Sequence, residues 1–155
     1  MRRGDILLMN YKFDPIGYYI KRITHSQWNH VAFAIDNKRV VESRGNKITI
    51  SNIKTRTNKF LYKTKLVRPK LKDRQLSKAV DYAVMQVGDG NYFKFLYTLF
   101  LLKLKVTNNP PHKPCSGFIA EVLDVVGFRF CNHKKPLLIT PEDIASSEKV
   151  QNVEE

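Results

Sequence analysis

One cysteine in this chain sits where a sulfur can become a nucleophile. Cys115 follows Pro114 and precedes Ser116 and Gly117, at the mouth of a predicted helix. Proline lacks a backbone donor, which suits the approach to a helix start. Free N–H groups and the positive end of the helix dipole favour thiolate over thiol there, and the thiolate is the reactive form. The short side chains of Ser116 and Gly117 are expected to keep the sulfur accessible. The competing reading is that Cys115 is one more small buried residue.

A nucleophilic thiol needs a base, and a third group to orient that base. Of the four histidines, His30 opens a run that alternates in size, and its same-face neighbours Ala32 and Ala34 are small. A helix is therefore expected to approach that face closely and leave a pocket beside the imidazole. His25, His112 and His133 fall in predicted loops and read as surface residues. Glu42 is the candidate orienting group. It shares a sheet face with His30 only if Ala32 pairs with Glu42, which requires an odd-length connection, most simply Asp36-Asn37-Lys38. A two-residue loop would turn Glu42 to the opposite face. Asn37 tolerates the left-handed conformation that three-residue loops use. The competing readings are a structural histidine at a strand end and a solvated glutamate. His112-x-x-Cys115 and Cys131-x-His133 supply four metal-ligand types, but the second spacing is too short for the usual zinc pairs. No metal and no cofactor is expected.

These residues need elements to hold them. Residues 6–9 form a short apolar run that reads as a buried strand. Residues 18–23 suggest a short helix. Residues 30–35 and 39–43 read as strands joined in a hairpin, and 47–50 and 64–67 are further strand candidates. From Asp73 the period changes: Leu76, Ala79, Val80, Ala83, Val84 and Val87 recur at helical spacing, ended by Gly88-Asp89-Gly90. Residues 93–106 are strongly apolar. A proline-rich break at 108–114 leads into the cysteine helix, 116–126, which Gly127 stops. Thr140-Pro141-Glu142-Asp143 is a capped start for one more helical turn. Residues 1–147 read as one domain, and 148–155 as a flexible acidic tail.

Composition bounds the rest. The 155 residues fit a single domain, and 43% hydrophobic content supports a core. Lys and Arg total 27 against 14 Asp and Glu, a net charge of +13. That balance suits an anionic surface such as phospholipid, a teichoic-acid-like polymer or nucleic acid; a merely solubilising surface is the bland alternative. Lys63, Lys65, Arg68, Lys70, Lys72 and Arg74 form a basic run, but no zinc finger or helix-turn-helix accompanies it, so nucleic acid is not the expected partner. Two cysteines are too few for a disulfide scaffold. No secretory signal is visible, and no apolar run reaches the roughly 20 residues that span a bilayer. A reducing, cytoplasmic setting is expected.

Five segments together resemble the NlpC-like papain superfamily in its circularly permuted branch, especially YiiX-like proteins. Gly4-Asp5-Ile6-Leu7 resembles the opening strand. Ser26-Gln27-Trp28-Asn29-His30-Val31-Ala32 resembles the histidine strand, and Val40-Val41-Glu42-Ser43 the strand of the third polar residue. Cys115-Ser116-Gly117-Phe118-Ile119 resembles the cysteine helix. Thr140-Pro141-Glu142-Asp143-Ile144-Ala145 and Ser147 resemble the closing segment. Permutation accounts for histidine preceding cysteine. The resemblance implies an α+β, papain-like core in which a mostly antiparallel sheet packs against the cysteine helix. It implies that Cys115, His30 and Glu42 are nucleophile, base and orienting group. Gly90-Asn91-Tyr92 resembles a Gly-x-Pro-Tyr segment whose tyrosine assists the oxyanion, with Asn91 in place of proline. The implied activity is acyl transfer through a thioester, with hydrolysis of a peptide or cell-wall amide as the first expectation. A lipid acyltransferase or phospholipase with the same chemistry, resembling the lecithin retinol acyltransferase group, is the alternative; the charge and residues 93–106 lean toward it. A binding module for an anionic ligand is the reading without turnover.

Overall fold

The computed structural model describes residues 1–44, 47–58, 60–88 and 113–153. The described strands form one antiparallel sheet of six, in the order β4-β3-β2-β1-β5-β6. They are β1 (Ile6–Tyr11), β2 (His30–Ala34), β3 (Arg39–Arg44), β4 (Lys47–Asn52), β5 (Tyr62–Pro69) and β6 (Val150–Val153). Helix α1 (Pro15–Thr24) links β1 to β2, and α2 (Asp73–Met85) follows β5. Helix α3 (Cys115–Asp124) and the short α4 (Pro141–Ala145) come later, with 3-10 turns at Ile53–Thr55 and Pro136–Leu138. Among the described residues, no helix is long and apolar enough to cross a membrane.

Strand alternation divides the core into two faces. Ile6, Leu8, Val31, Phe33 and Val41 point to one, where Ala79 and Ala83 of α2 and Phe118, Ile119, Val122 and Leu123 of α3 complete a large cluster. Leu7, Met9, Ala32, Ala34, Val40 and Leu66 point to the other, with Ile53, Tyr62 and Val153 packed against them. Helix α3 lies on β2 and β3 through the first face. That differs from the approach expected over Ala32 and Ala34. The reason is area: Val31, Phe33 and Val41 offer the apolar face of α3 far more surface to bury than two alanines do.

Ser116 and Gly117 also serve a different end from the open access expected of them. Both are buried. A Cβ on Gly117 would lie 2.9 Å from the Leu137 Cα, so glycine here admits the Pro136–Leu138 turn against the helix. Ser116 Oγ donates to the Ile139 carbonyl at 2.6 Å, fastening the same segment.

Residues 150–153 are the third departure. They form β6 and pair with β5, from Leu66↔Val153 to Pro69↔Val150, so the tail is not loose throughout. Its polar Gln151-Asn152 centre hides the strand because an edge strand needs backbone donors and acceptors more than apolar side chains.

Candidate active site

The β2–β3 hairpin decides whether His30 and Glu42 can meet. Phe33 pairs with Val41 and Ala34 with Val40, a register that sets Ala32 against Glu42. The Ile35 N–H donates to the Arg39 carbonyl at 3.1 Å, leaving Asp36-Asn37-Lys38 as a three-residue connection. Asp36 Oδ1 accepts from the N–H groups of Lys38 and Arg39, each at 2.7 Å, and fixes that turn. His30 and Glu42 therefore lie on one face, and His30 Nε2 sits 2.6 Å from Glu42 Oε2.

His30 is held from the other side by Asn29. The Asn29 carboxamide accepts from the Tyr11 N–H at 2.9 Å and donates to the Tyr11 carbonyl at 3.0 Å, imitating a paired strand residue just before β2 begins. Glu142, at the start of α4, accepts from Ser26 Oγ and the Gln27 N–H, at 3.1 and 3.2 Å. The closing segment thus braces the loop that delivers the histidine.

Cys115 enters from the opposite face. Pro114 caps α3 in an extended conformation, and its carbonyl accepts from the Phe118 N–H at 2.7 Å. Ser43 Oγ donates to the Lys113 carbonyl at 2.7 Å, tying the residue before the cap to β3. These anchors bring the thiol into hydrogen-bonding contact with the His30 imidazole, and the Val31 and Ser116 N–H groups also point at the sulfur. Glu42 occupies Nε2, so Nδ1 is the nitrogen left for the thiol. The cluster spans both sheet faces at the end of β2. His30 keeps 23% of its side-chain surface exposed, so the imidazole is open to solvent on one side.

Glu42 is fully buried and multiply bonded. Its Oε1 accepts from Arg56 Nε at 2.8 Å, Arg56 Nη2 at 2.6 Å and Ser51 Oγ. Burial alone would raise the Glu42 carboxyl, but the His30 and Ser51 bonds and the Arg56 charge prevail and lower it to about 2. Burial likewise opposes the His30 imidazolium, yet the Cys115 and Glu42 bonds outweigh it and lift His30 to about 9. For Cys115, burial pushes the thiol up, while His30 and the two backbone N–H groups bring it below its ordinary value. The three shifts favour a thiolate–imidazolium pair backed by an ionised carboxylate.

No family model matches the chain, and no curated protein sequence matches it. A crystal structure does: the metalloprotein YiiX from Escherichia coli O157:H7 superposes with a TM-score of 0.73 over 99% of this chain and 96% of that one, at 17% identity. The fold is YiiX-like. At that identity the YiiX likeness speaks for the fold alone. YiiX is described as a metalloprotein, so the ligand types here matter. Among the described residues no group of three or more His, Cys, Asp or Glu side chains is arranged so that it could hold a metal ion. Cys131 Sγ lies 3.2 Å from each His133 ring nitrogen, a pair without a third ligand among them.

Of the four residues singled out in the sequence, the structure brings Cys115, His30 and Glu42 together; Tyr92 lies outside the described residues, as do residues 93–106 and His112. Two participants went unread. Ser51 had a signal: continuing the pairing into β4 sets Thr49 opposite Glu42 and Ser51 one diagonal step away on the same face. Arg56 had none. It is one of 27 basic residues, in a polar stretch that reads as solvated loop. Only the 3-10 turn at Ile53–Thr55, capped by the Asn52 side chain, turns its guanidinium inward.

Proposed function

We propose that this chain is a cysteine-dependent acyl hydrolase of the permuted, NlpC-like papain type, with Cys115 as nucleophile, His30 as its proton partner and Glu42 as the orienting carboxylate. The observation that carries the reading is the continuous chain from Cys115 through His30 to Glu42. Helix-on-sheet packing and the histidine-before-cysteine order support the permuted assignment. Both cysteines are free, so Cys115 keeps the thiol that the reading needs.

The steps follow from the geometry. The Cys115 thiolate attacks the carbonyl carbon of the substrate, forming a C–S bond and a tetrahedral oxyanion. The first-turn N–H groups of α3 have no intrahelical acceptor and lie at the positive end of the helix, so they stabilise that oxyanion. Tyr92 enters by resemblance as an additional donor. The His30 imidazolium gives its proton to the departing amine as the C–N bond breaks. Water, deprotonated by the now neutral His30, attacks the thioester and restores the thiolate. Glu42, fixed on Nε2, keeps Nδ1 aimed at the sulfur throughout. We take an amide as the substrate.

Activity-based labelling tests the reading with a panel of acylating and thiol-reactive probes, using Cys131→Ser protein so that one cysteine remains. Cys115 is expected to label rapidly at mildly acidic pH, and Cys115→Ala is expected to abolish labelling. Slow alkylation of Cys115, at the rate of an ordinary thiol, would instead fit a binding module without turnover.

A further inference from the structure

A feature at the same end of the sheet takes no part in the Cys115 chemistry. β1 passes its Met9–His30 pair and continues to Tyr11, and the chain then runs through Lys12, Phe13 and Asp14 into α1. The connection ahead of β5 meets it there. The Lys12 N–H donates to the Leu61 carbonyl at 3.1 Å, and the Tyr11 and Tyr62 rings stack at 5.0 Å. Asn58 shapes that connection: its side chain accepts from the Phe60 N–H at 3.0 Å, and its carbonyl from the Leu61 and Tyr62 N–H groups. On this bonded base Phe13 and Phe60 are 65% and 74% exposed, their rings 6.3 Å apart. Tyr18, in the first turns of α1, is 64% exposed.

Two phenyl rings held out in water by ordered backbone contribute little to the core, and exposed apolar groups with a polar rim mark contact sites. The exposed charges nearby in sequence are basic: Lys12 precedes Phe13, Lys63 follows Phe60 by three residues with its ammonium 5.9 Å from the Trp28 ring, and Arg22 lies one turn after Tyr18. Residues 43–72 contain no Asp or Glu, and residues 6–35 contain only Asp14.

We propose that this aromatic tip docks the protein on an anionic phospholipid bilayer. Phe13 and Phe60 enter the boundary between headgroups and acyl chains, while Lys12, Lys63 and Arg22 meet the anionic headgroups. The tip extends from the strand end that carries His30, so docking turns the Cys115 end of the molecule toward the lipid. Single-stranded nucleic acid is the less fitting partner: the rings pack on each other and leave no slot between them for a base.

Vesicle co-sedimentation of the full chain tests this. Wild type is expected to bind phosphatidylcholine vesicles containing about 30% phosphatidylserine and to ignore pure phosphatidylcholine. Phe13→Ser/Phe60→Ser should weaken binding about ten-fold or more per ring. Lys12→Gln/Lys63→Gln should weaken it about five-fold per charge, an effect that salt screens. These positions are exposed, and an unchanged Cys115 alkylation rate verifies folding. No binding by wild type, equal binding by the phenylalanine variant, or binding to single-stranded RNA in place of vesicles would overturn the proposal. Because the readout is lipid binding, it stands or falls separately from the hydrolase reading.

Discussion

A single buried carboxylate is shared between two cations, and the division is by oxygen. Oε2 of Glu42 faces His30, while Oε1 takes both nitrogens of Arg56 and the Ser51 hydroxyl. Each oxygen is therefore committed, and Glu42 cannot rotate without breaking bonds to a charged partner. Removing one member of such a buried pair costs about 3 kcal/mol, because the other charge is left without compensation. Arg56→Gln is expected to destabilise the fold by roughly that amount in urea titration. It should also raise the pH at which iodoacetamide alkylates Cys115, since a loosened Glu42 no longer anchors the imidazole. Arg56→Lys keeps the charge but not the fork, and should fall between the two. An alkylation profile for Arg56→Gln that superimposes on wild type would show that Arg56 has no hold on the thiol.

At the level of elements, the site depends on the parity of a loop. Asp36-Asn37-Lys38 sets the register in which Glu42 and His30 share a face. Deleting Asn37 leaves a two-residue connection, which shifts the register by one, turning Glu42 away from His30 and exchanging the faces of Val40 and Val41. We expect that deletion to abolish fast alkylation of Cys115 at mildly acidic pH while the unmodified protein retains it. The loop was legible in the sequence because strand alternation is rigid: one residue more or less changes the answer. The cysteine helix was legible too, from Pro114 at its start and the apolar face of Phe118 and Val122. The face on which that helix docks was not, since local size at Ala32 and Ala34 does not report the larger apolar area on the reverse side. β6 was missed for a related reason: its place at the sheet edge is fixed by backbone pairing with β5, a partner more than 80 positions away.

For the molecule as a whole, pH acts on stability through Glu42. Its carboxyl is held at about 2 in the folded chain, against an ordinary 4.5. A group with a lowered value contributes stability that is fully present above its unfolded value and lost as pH falls through its folded one. Stability is therefore expected to decline between about pH 4.5 and about pH 2, and Glu42→Gln should show a shallower acid limb in thermal melts across that interval. An unchanged acid limb would mean the burden lies on other carboxylates. The meeting of Cys115 and His30 has a further consequence. The two residues stand 85 positions apart, on opposite faces of the sheet, and an unfolded chain holds only an ordinary thiol. Reactivity at this sulfur is thus a gauge of completed tertiary assembly: a partly formed intermediate stays chemically quiet until strand and helix have closed on each other.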